Sequence, residues 1–170
     1  TILVTLHRRE FYRRDDAGGV LDALMEGARM HPGVTLVWPI HPALQSLAEV
    51  ALQTAPPNVR PLGPMPYALL ADMLAGSRGV LTESGGVPEE AATLGVPTVV
   101  LRRVTDRPEA IEAGMALRLD PTPDFTRHAI RVLAQQVIPR APTGVYGDGG
   151  AARRIVTHLT GALGLAKLGA

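Results

Sequence analysis

Six short apolar runs, each followed by a segment of helical periodicity, leave this chain few ways to fold. The runs are Thr1–Leu6, Thr35–Pro39, Asn58–Leu62, Gly79–Thr82, Thr98–Leu101 and Ala116–Leu119. Between them, helical spacing covers Gly19–Met30, Ala43–Gln53, Tyr67–Leu74, Val87–Leu94 and Pro108–Ala113, and two longer helices follow near Phe125–Val137 and Ala151–Leu163. A strand that lies parallel to its predecessor needs a crossover, and right-handed crossovers place helices on both faces of the sheet. Such strands read as nearly continuous apolar runs, as these do. The expected fold is α/β, a Rossmann-like, doubly wound parallel sheet of six strands. His31-Pro32-Gly33, Pro56-Pro57-Asn58 and Asp120-Pro121-Thr122-Pro123 mark turns, none long enough to link two domains. No internal repeat interrupts the rhythm, and Gly161 to Ala170 reads as a fraying helix end.

Composition narrows the partners. A chain of 170 residues forms one domain able to bury roughly 70% of the surface its unfolded form exposes. With 46% hydrophobic and 19% charged residues it is not a disordered chain, and no apolar run reaches the length of a spanning helix. A net charge of +1 gives no case for nonspecific nucleic-acid binding, so neither nucleic acid nor a membrane is an expected partner. Of 17 cationic side chains, 16 are arginine, the better fork for phosphate and carboxylate. The absence of cysteine rules out disulfides, thiolate metal sites and a cysteine nucleophile, and is consistent with a reducing cytoplasm. Opening at Thr1 directly on a strand, without Met or signal peptide, the chain reads as a piece of a longer protein.

The segment Val80 to Leu101 carries the most chemistry. It reads as strand, glycine turn, helix and strand, with Ser84-Gly85-Gly86 at the turn and Glu89-Glu90 inside the helix. Two readings fit these residues. In one, free backbone N–H groups at the helix start face a diphosphate, helped by the macrodipole, and Glu90 one turn further in accepts two ribose hydroxyls. In the other, Ser84 caps the helix, Pro88 occupies its first turn and the glutamates complement the dipole.

Doubly wound sheets bind ligands beyond the carboxyl ends of their strands, at the switch point. His7-Arg8-Arg9-Glu10 follows the first strand, His41 the second, Glu83-Ser84-Gly85-Gly86 the fourth, and Arg102, Arg103 and Arg107 the fifth. Their shared placement favours a site over four unrelated solvated loops. His7 stands before two arginines, which would hold its ring neutral. His41, between Ile40 and Pro42, reads as a strand-exit cap. Arg107 precedes Pro108 and can reach an anion at that helix start, against a competing ion pair with Glu109 or Glu112. His31, His128 and His158 read as surface or packing residues, Asp148 as a loop residue near the last helix cap, and Trp38 as core. No histidine pair has metal-ligand spacing with a nearby acid, and neither metal nor cofactor is expected.

Five motifs carry a family likeness: Thr5-Leu-His-Arg-Arg-Glu10, Pro39-Ile-His-Pro42, Leu81 to Ala91, Arg107-Pro-Glu-Ala-Ile-Glu-Ala-Gly114 and Tyr146-Gly-Asp-Gly149. In this order they resemble the C-terminal half of the non-hydrolysing bacterial UDP-N-acetylglucosamine 2-epimerases. The resemblance implies one half of a GT-B type two-domain fold, with residues 1–170 as the UDP-binding domain and an N-terminal domain lying outside this chain. The reaction it implies interconverts UDP-N-acetylglucosamine and UDP-N-acetylmannosamine by elimination and readdition of UDP, within cell envelope polysaccharide biosynthesis. Its partners would be UDP, UDP-N-acetylglucosamine, that N-terminal domain and, for the parent, a second copy in a homodimer.

Carried onto this sequence, the resemblance places His7 at the diphosphate and reacting sugar as the catalytic residue. Ser84, Gly85 and Gly86 then hold phosphate oxygens, Glu90 the ribose hydroxyls, and Arg107 completes the anion pocket. Met65 and Leu70 take the uracil, and Arg8 with His41 matches a second, activating UDP-sugar site. The chain departs from the pattern at Phe11, Ala43, Glu83, Pro88, Leu70 and Arg103-Val104, none of them an assigned phosphate or ribose ligand. Two rivals share the fold. A GT-B glycosyltransferase domain is disfavoured because Glu83, Glu89 and Glu90 lack the eight-residue glutamate spacing of many such enzymes. A noncatalytic nucleotide-sensing domain is the other. A dinucleotide dehydrogenase is disfavoured because no Gly-x-Gly-x-x-Gly follows the first strand.

Overall fold

The computed structural model describes residues 1–7 and 16–163. Among them six strands form a single sheet: β1 (Ile2–Thr5), β2 (Leu36–Pro39), β3 (Val59–Leu62), β4 (Gly79–Thr82), β5 (Thr98–Leu101) and β6 (Ala116–Leu119). Every neighbouring pair is parallel, in the order β3-β2-β1-β4-β5-β6. The helices are α1 (Ala17–Met30), α2 (Gln45–Leu52), α3 (Tyr67–Gly76), α4 (Val87–Leu94), α5 (Glu109–Glu112), α6 (Pro123–Ala134) and α7 (Ala151–Ala162). The chain winds outward from β1 toward β3 on one side and from β4 toward β6 on the other. The switch point therefore lies between β1 and β4.

Side chains alternate across the sheet, as the two-residue strand period requires. Ile2, Val4 and Leu6 join Leu36, Trp38, Leu81, Val99 and Leu101 beneath α1 and α6, where Leu21, Leu24, Ile130 and Leu133 meet them. Leu3 and Val80 face the other way and pack with Leu74 of α3 and Val87 and Ala91 of α4. Full burial of each large aliphatic chain in these layers contributes on the order of 1.5–3 kcal/mol. Trp38 is wholly buried in the core, as expected. Edge strand β3 buries only Val59, and Pro61 is tolerated there because an edge position does not need its missing donor.

Helix ends follow local chemistry. Thr122 accepts the Phe125 N–H at 3.3 Å, and with Pro123 in the first turn this starts α6 two residues before the expected Phe125. The same helix stops at Ala134 rather than Val137 because Gln136 adopts a left-handed φ of 54° and the Val137 N–H closes onto the Val132 carbonyl at 3.2 Å. Without glycine there, the sequence carried no stop signal. At Gly95, φ is 69°, and a Cβ would lie 2.5 Å from the Pro142 nitrogen, so conformation and close packing both demand glycine at the end of α4. Among the described residues no helix is long and apolar enough to cross a membrane.

Candidate functional site

The β1–β4 ladder reaches its last pair at Thr5 and Thr82, and beyond it the strands separate to open the switch-point crevice. Polar side chains bind the two exits together. The Thr5 hydroxyl donates to Thr82 Oγ1 at 2.6 Å, and the Ser84 N–H donates to the same oxygen at 2.9 Å. The Glu83 N–H reaches the Thr5 carbonyl at 3.4 Å. In return the carboxylate of Glu83, a residue only 3% exposed, accepts the backbone N–H of His7. His7 is thereby held beside the glycine turn. No sequence signal announced this reach, because the partners are 76 residues apart along the chain.

At the start of α4 Pro88 and the two glutamates occupy the first turn as the capping alternative has it, but the Ser84 cap does not form. Gly86 occupies the N-cap position without a side-chain cap, so Ser84 does not close this helix. The N–H groups of Glu89 and Glu90 both return to the Gly86 carbonyl, at 3.0 and 3.2 Å. Among the described residues, no acceptor meets the N–H groups of Gly85, Gly86 or Val87. Three consecutive donors at a helix start suit an anion.

The paired glutamates divide their tasks. Glu89 is committed: its carboxylate accepts from Arg107 Nε, and Arg107 Nη1 also meets Asp106 at 2.8 Å. Hydrogen bonding to Glu89, with the Asp106 charge beside it, pushes the Arg107 guanidinium above its ordinary pKa. The ion-pair alternative in the sequence needs correction here, since Glu89 and not Glu109 or Glu112 is the partner. Arg107 turns from the start of its own short helix, where Glu109 and Glu112 lie, to the first turn of α4. Glu90 is half-buried, and among the described residues its carboxylate has no ion-pair or hydrogen-bonding partner. Tyr146 adds a tie that the sequence reading missed, its hydroxyl accepting the Ala110 N–H at 3.3 Å to steady the start of α5. Burial pushes its phenol upward.

A cleft of about 200 Å³ opens beside these groups, lined by His7, Pro39, His41, Met65, Leu70 and Val87 among others. It unites the exits of β1 and β2, the loop before α3 and the first residue of α4. The His7 and His41 rings stand 5.9 Å apart. His41 Nδ1 accepts the Ala43 N–H at 3.1 Å, the expected strand-exit cap. Arg8, with Arg9, Glu10 and Phe11, lies outside the described residues. A roomier groove of about 400 Å³ runs along α2 and β3, but among the described residues the only charged one lining it is Glu49, which would repel an anion. Asp148 pairs with Arg154 at 2.8 Å and accepts the Gly150 N–H at 2.9 Å, a local structural role as read. Among the described residues no three His, Asp or Glu side chains gather as a metal site.

Comparison with known proteins adds an independent line. The family described as UDP-N-acetylglucosamine 2-epimerase matches residues 1–160. The UDP-N-acetylglucosamine 2-epimerase of Yersinia pestis is 35% identical over 167 residues, covering 93% of this chain and 43% of that protein. Among solved structures, the S. aureus MnaA–UDP co-structure superposes with a TM-score of 0.84 at 29% identity, covering 96% of this chain and 45% of the other. The Neisseria meningitidis UDP-GlcNAc 2-epimerase bound to UDP-GlcNAc gives a TM-score of 0.82 at 28% identity, with 93% and 44% covered. The chain spans about two fifths of the length of the curated relatives it matches.

Proposed function

We propose, from the premise that the chain belongs to the UDP-N-acetylglucosamine 2-epimerase family, that it is the UDP-holding half of an enzyme interconverting UDP-N-acetylglucosamine and UDP-N-acetylmannosamine. The observation that carries this is the juxtaposition at the switch point: three N–H donors at Gly85, Gly86 and Val87 that have no acceptor among the described residues, one helical turn from Glu90, whose carboxylate has no partner among them either. In this assignment the diphosphate lies on those donors and the Ser84 hydroxyl, and Glu90 accepts the ribose hydroxyls. Arg107, locked by Glu89 at the same helix start, adds a fixed cation. Met65 and Leu70 form an apolar seat for the uracil in the adjoining cleft.

The chemistry is elimination followed by readdition. A base removes the proton at sugar C2, the C1–O bond to the diphosphate breaks, and the C1–C2 double bond forms. UDP then readds as a proton returns to C2 from the opposite face. His7 serves the diphosphate oxygen as charge develops on it. The remaining part of the parent supplies the base, and the parent works as a homodimer. His41, which lines the cleft, is the described residue of the activator site that the family resemblance implies. Catalysis needs a positioned base as well as a bound leaving group, so this chain alone is expected to bind nucleotide without turning it over.

Calorimetric titration of the chain with UDP, uridine and ADP tests the assignment. UDP should bind at one site and more tightly than either competitor, because only UDP engages both the base seat and the donor triplet. Failure of UDP to bind a folded sample at millimolar concentration removes the proposal.

A further inference from the structure

The Arg107–Glu89 pair spans two helices whose spacing must be held by something else. Glu89 rides on α4, whereas Arg107 stands at the entry of α5, a helix of four residues. A single turn is too short to persist by its own hydrogen bonds. Its cap position is Pro108, which offers no side-chain acceptor, so the N–H groups that open the turn need partners from elsewhere. The segment after α6 supplies one. Thr143 fastens that segment to α4, its N–H and its hydroxyl both donating to the Ala92 carbonyl, at 3.0 and 3.4 Å. Further on, the half-buried Tyr146 packs against Ala92, Val100, Ala110 and Ala116, and its hydroxyl takes the Ala110 N–H at 3.3 Å. This strap joins the helix that bears Glu89 to the turn that follows Arg107.

We infer that Tyr146 is a positioning residue for the diphosphate seat, acting through Arg107. By holding the first turn of α5 beside α4, its hydroxyl sets the direction in which the Arg107 side chain leaves the loop to meet Glu89. This rests on the anion-binding role proposed above for Arg107. Behind burial, the largest influence on the Tyr146 phenol, come the Ala110 bond and the charges of Glu109, Glu89 and Arg107, which sets the ring beside the pair. A phenylalanine in its place keeps the ring and its packing and removes only the acceptor.

The test compares the chain with its Tyr146→Phe variant through three readouts: hydrogen exchange of the Ala110 amide, the Arg107 Nε–H resonance, and affinity for inorganic diphosphate beside uridine. Tyr146→Phe should speed Ala110 exchange roughly three- to tenfold, the scale of one neutral hydrogen bond. The Nε–H resonance, held in the parent by the bond to Glu89, should move or broaden, and diphosphate should bind several-fold more weakly with uridine unchanged. In the Arg107→Ala background the same substitution should cost diphosphate nothing further, because its effect passes through Arg107. Faster Ala110 exchange with an unmoved Nε–H resonance overturns the inference and leaves Tyr146 a helix cap only. Parental exchange at Ala110, parental diphosphate affinity, a diphosphate loss that persists in full without Arg107, or an equal loss of uridine also overturns it. If the unsubstituted chain binds neither UDP nor diphosphate, the functional proposal falls, while the Nε–H resonance still decides whether Tyr146 positions Arg107.

Discussion

Replacing His7 with alanine in the parent enzyme should lower the epimerisation rate by roughly 10²–10³, the usual scale for a donor aimed at developing charge. The thermal midpoint should move little. The His7 side chain is half-buried and lines the cleft rather than the core. The bond that secures the segment, from the His7 N–H to Glu83, belongs to the backbone and survives in alanine. Rate and stability should therefore separate. A variant turning over at the parental rate would strip His7 of any part in the reaction, and a collapse of the midpoint would make it a structural residue.

The second large effect belongs to Glu90. Its carboxylate is uncommitted among the described residues, so Glu90→Gln breaks no internal pair and should leave the fold intact. Loss of a charge-assisted hydrogen bond to the ribose costs about 1.5–3 kcal/mol, or roughly tenfold or more in UDP affinity. Inorganic diphosphate, which has no ribose, should bind the variant as it binds the parent. Glu89→Gln supplies the contrast. It frees the Arg107 side chain from its anchor, and the change should fall on UDP and diphosphate alike. Equal losses for both ligands in Glu90→Gln would instead assign Glu90 to the local field.

The sheet was legible because its signal is repeated. Each of the six apolar runs became a strand, and in β1, β4 and β5 burial on both faces explains why the runs hardly alternate. Trp38, His41 and Asp148 also stand where their sequence neighbours implied. What escaped the sequence depended on reach and on backbone conformation. Gln136 ends α6 through a left-handed turn that no glycine announced. Arg107 passed over Glu109 and Glu112, its neighbours along the chain, for Glu89, which only the packing of α4 beside the loop after β5 brings within range. Glu83 read as a variant at a motif position. Its bond to the His7 backbone exists because β1 and β4 are adjacent in space, although 76 residues separate the partners. The glycine turn allowed a cap and an anion seat equally, and of the capping reading Pro88 and the glutamates hold their first-turn places while Ser84 makes no cap.

Whether UDP lies with its diphosphate on the start of α4 can be read from the backbone amide resonances of the chain during a titration with UDP. The largest downfield shifts should fall at the Gly85, Gly86 and Val87 amides, saturating together with those of Met65 and Leu70. Shifts confined to the groove of Gln45, Glu49, Leu62 and Gly63, with the three turn amides unmoved, would contradict that placement.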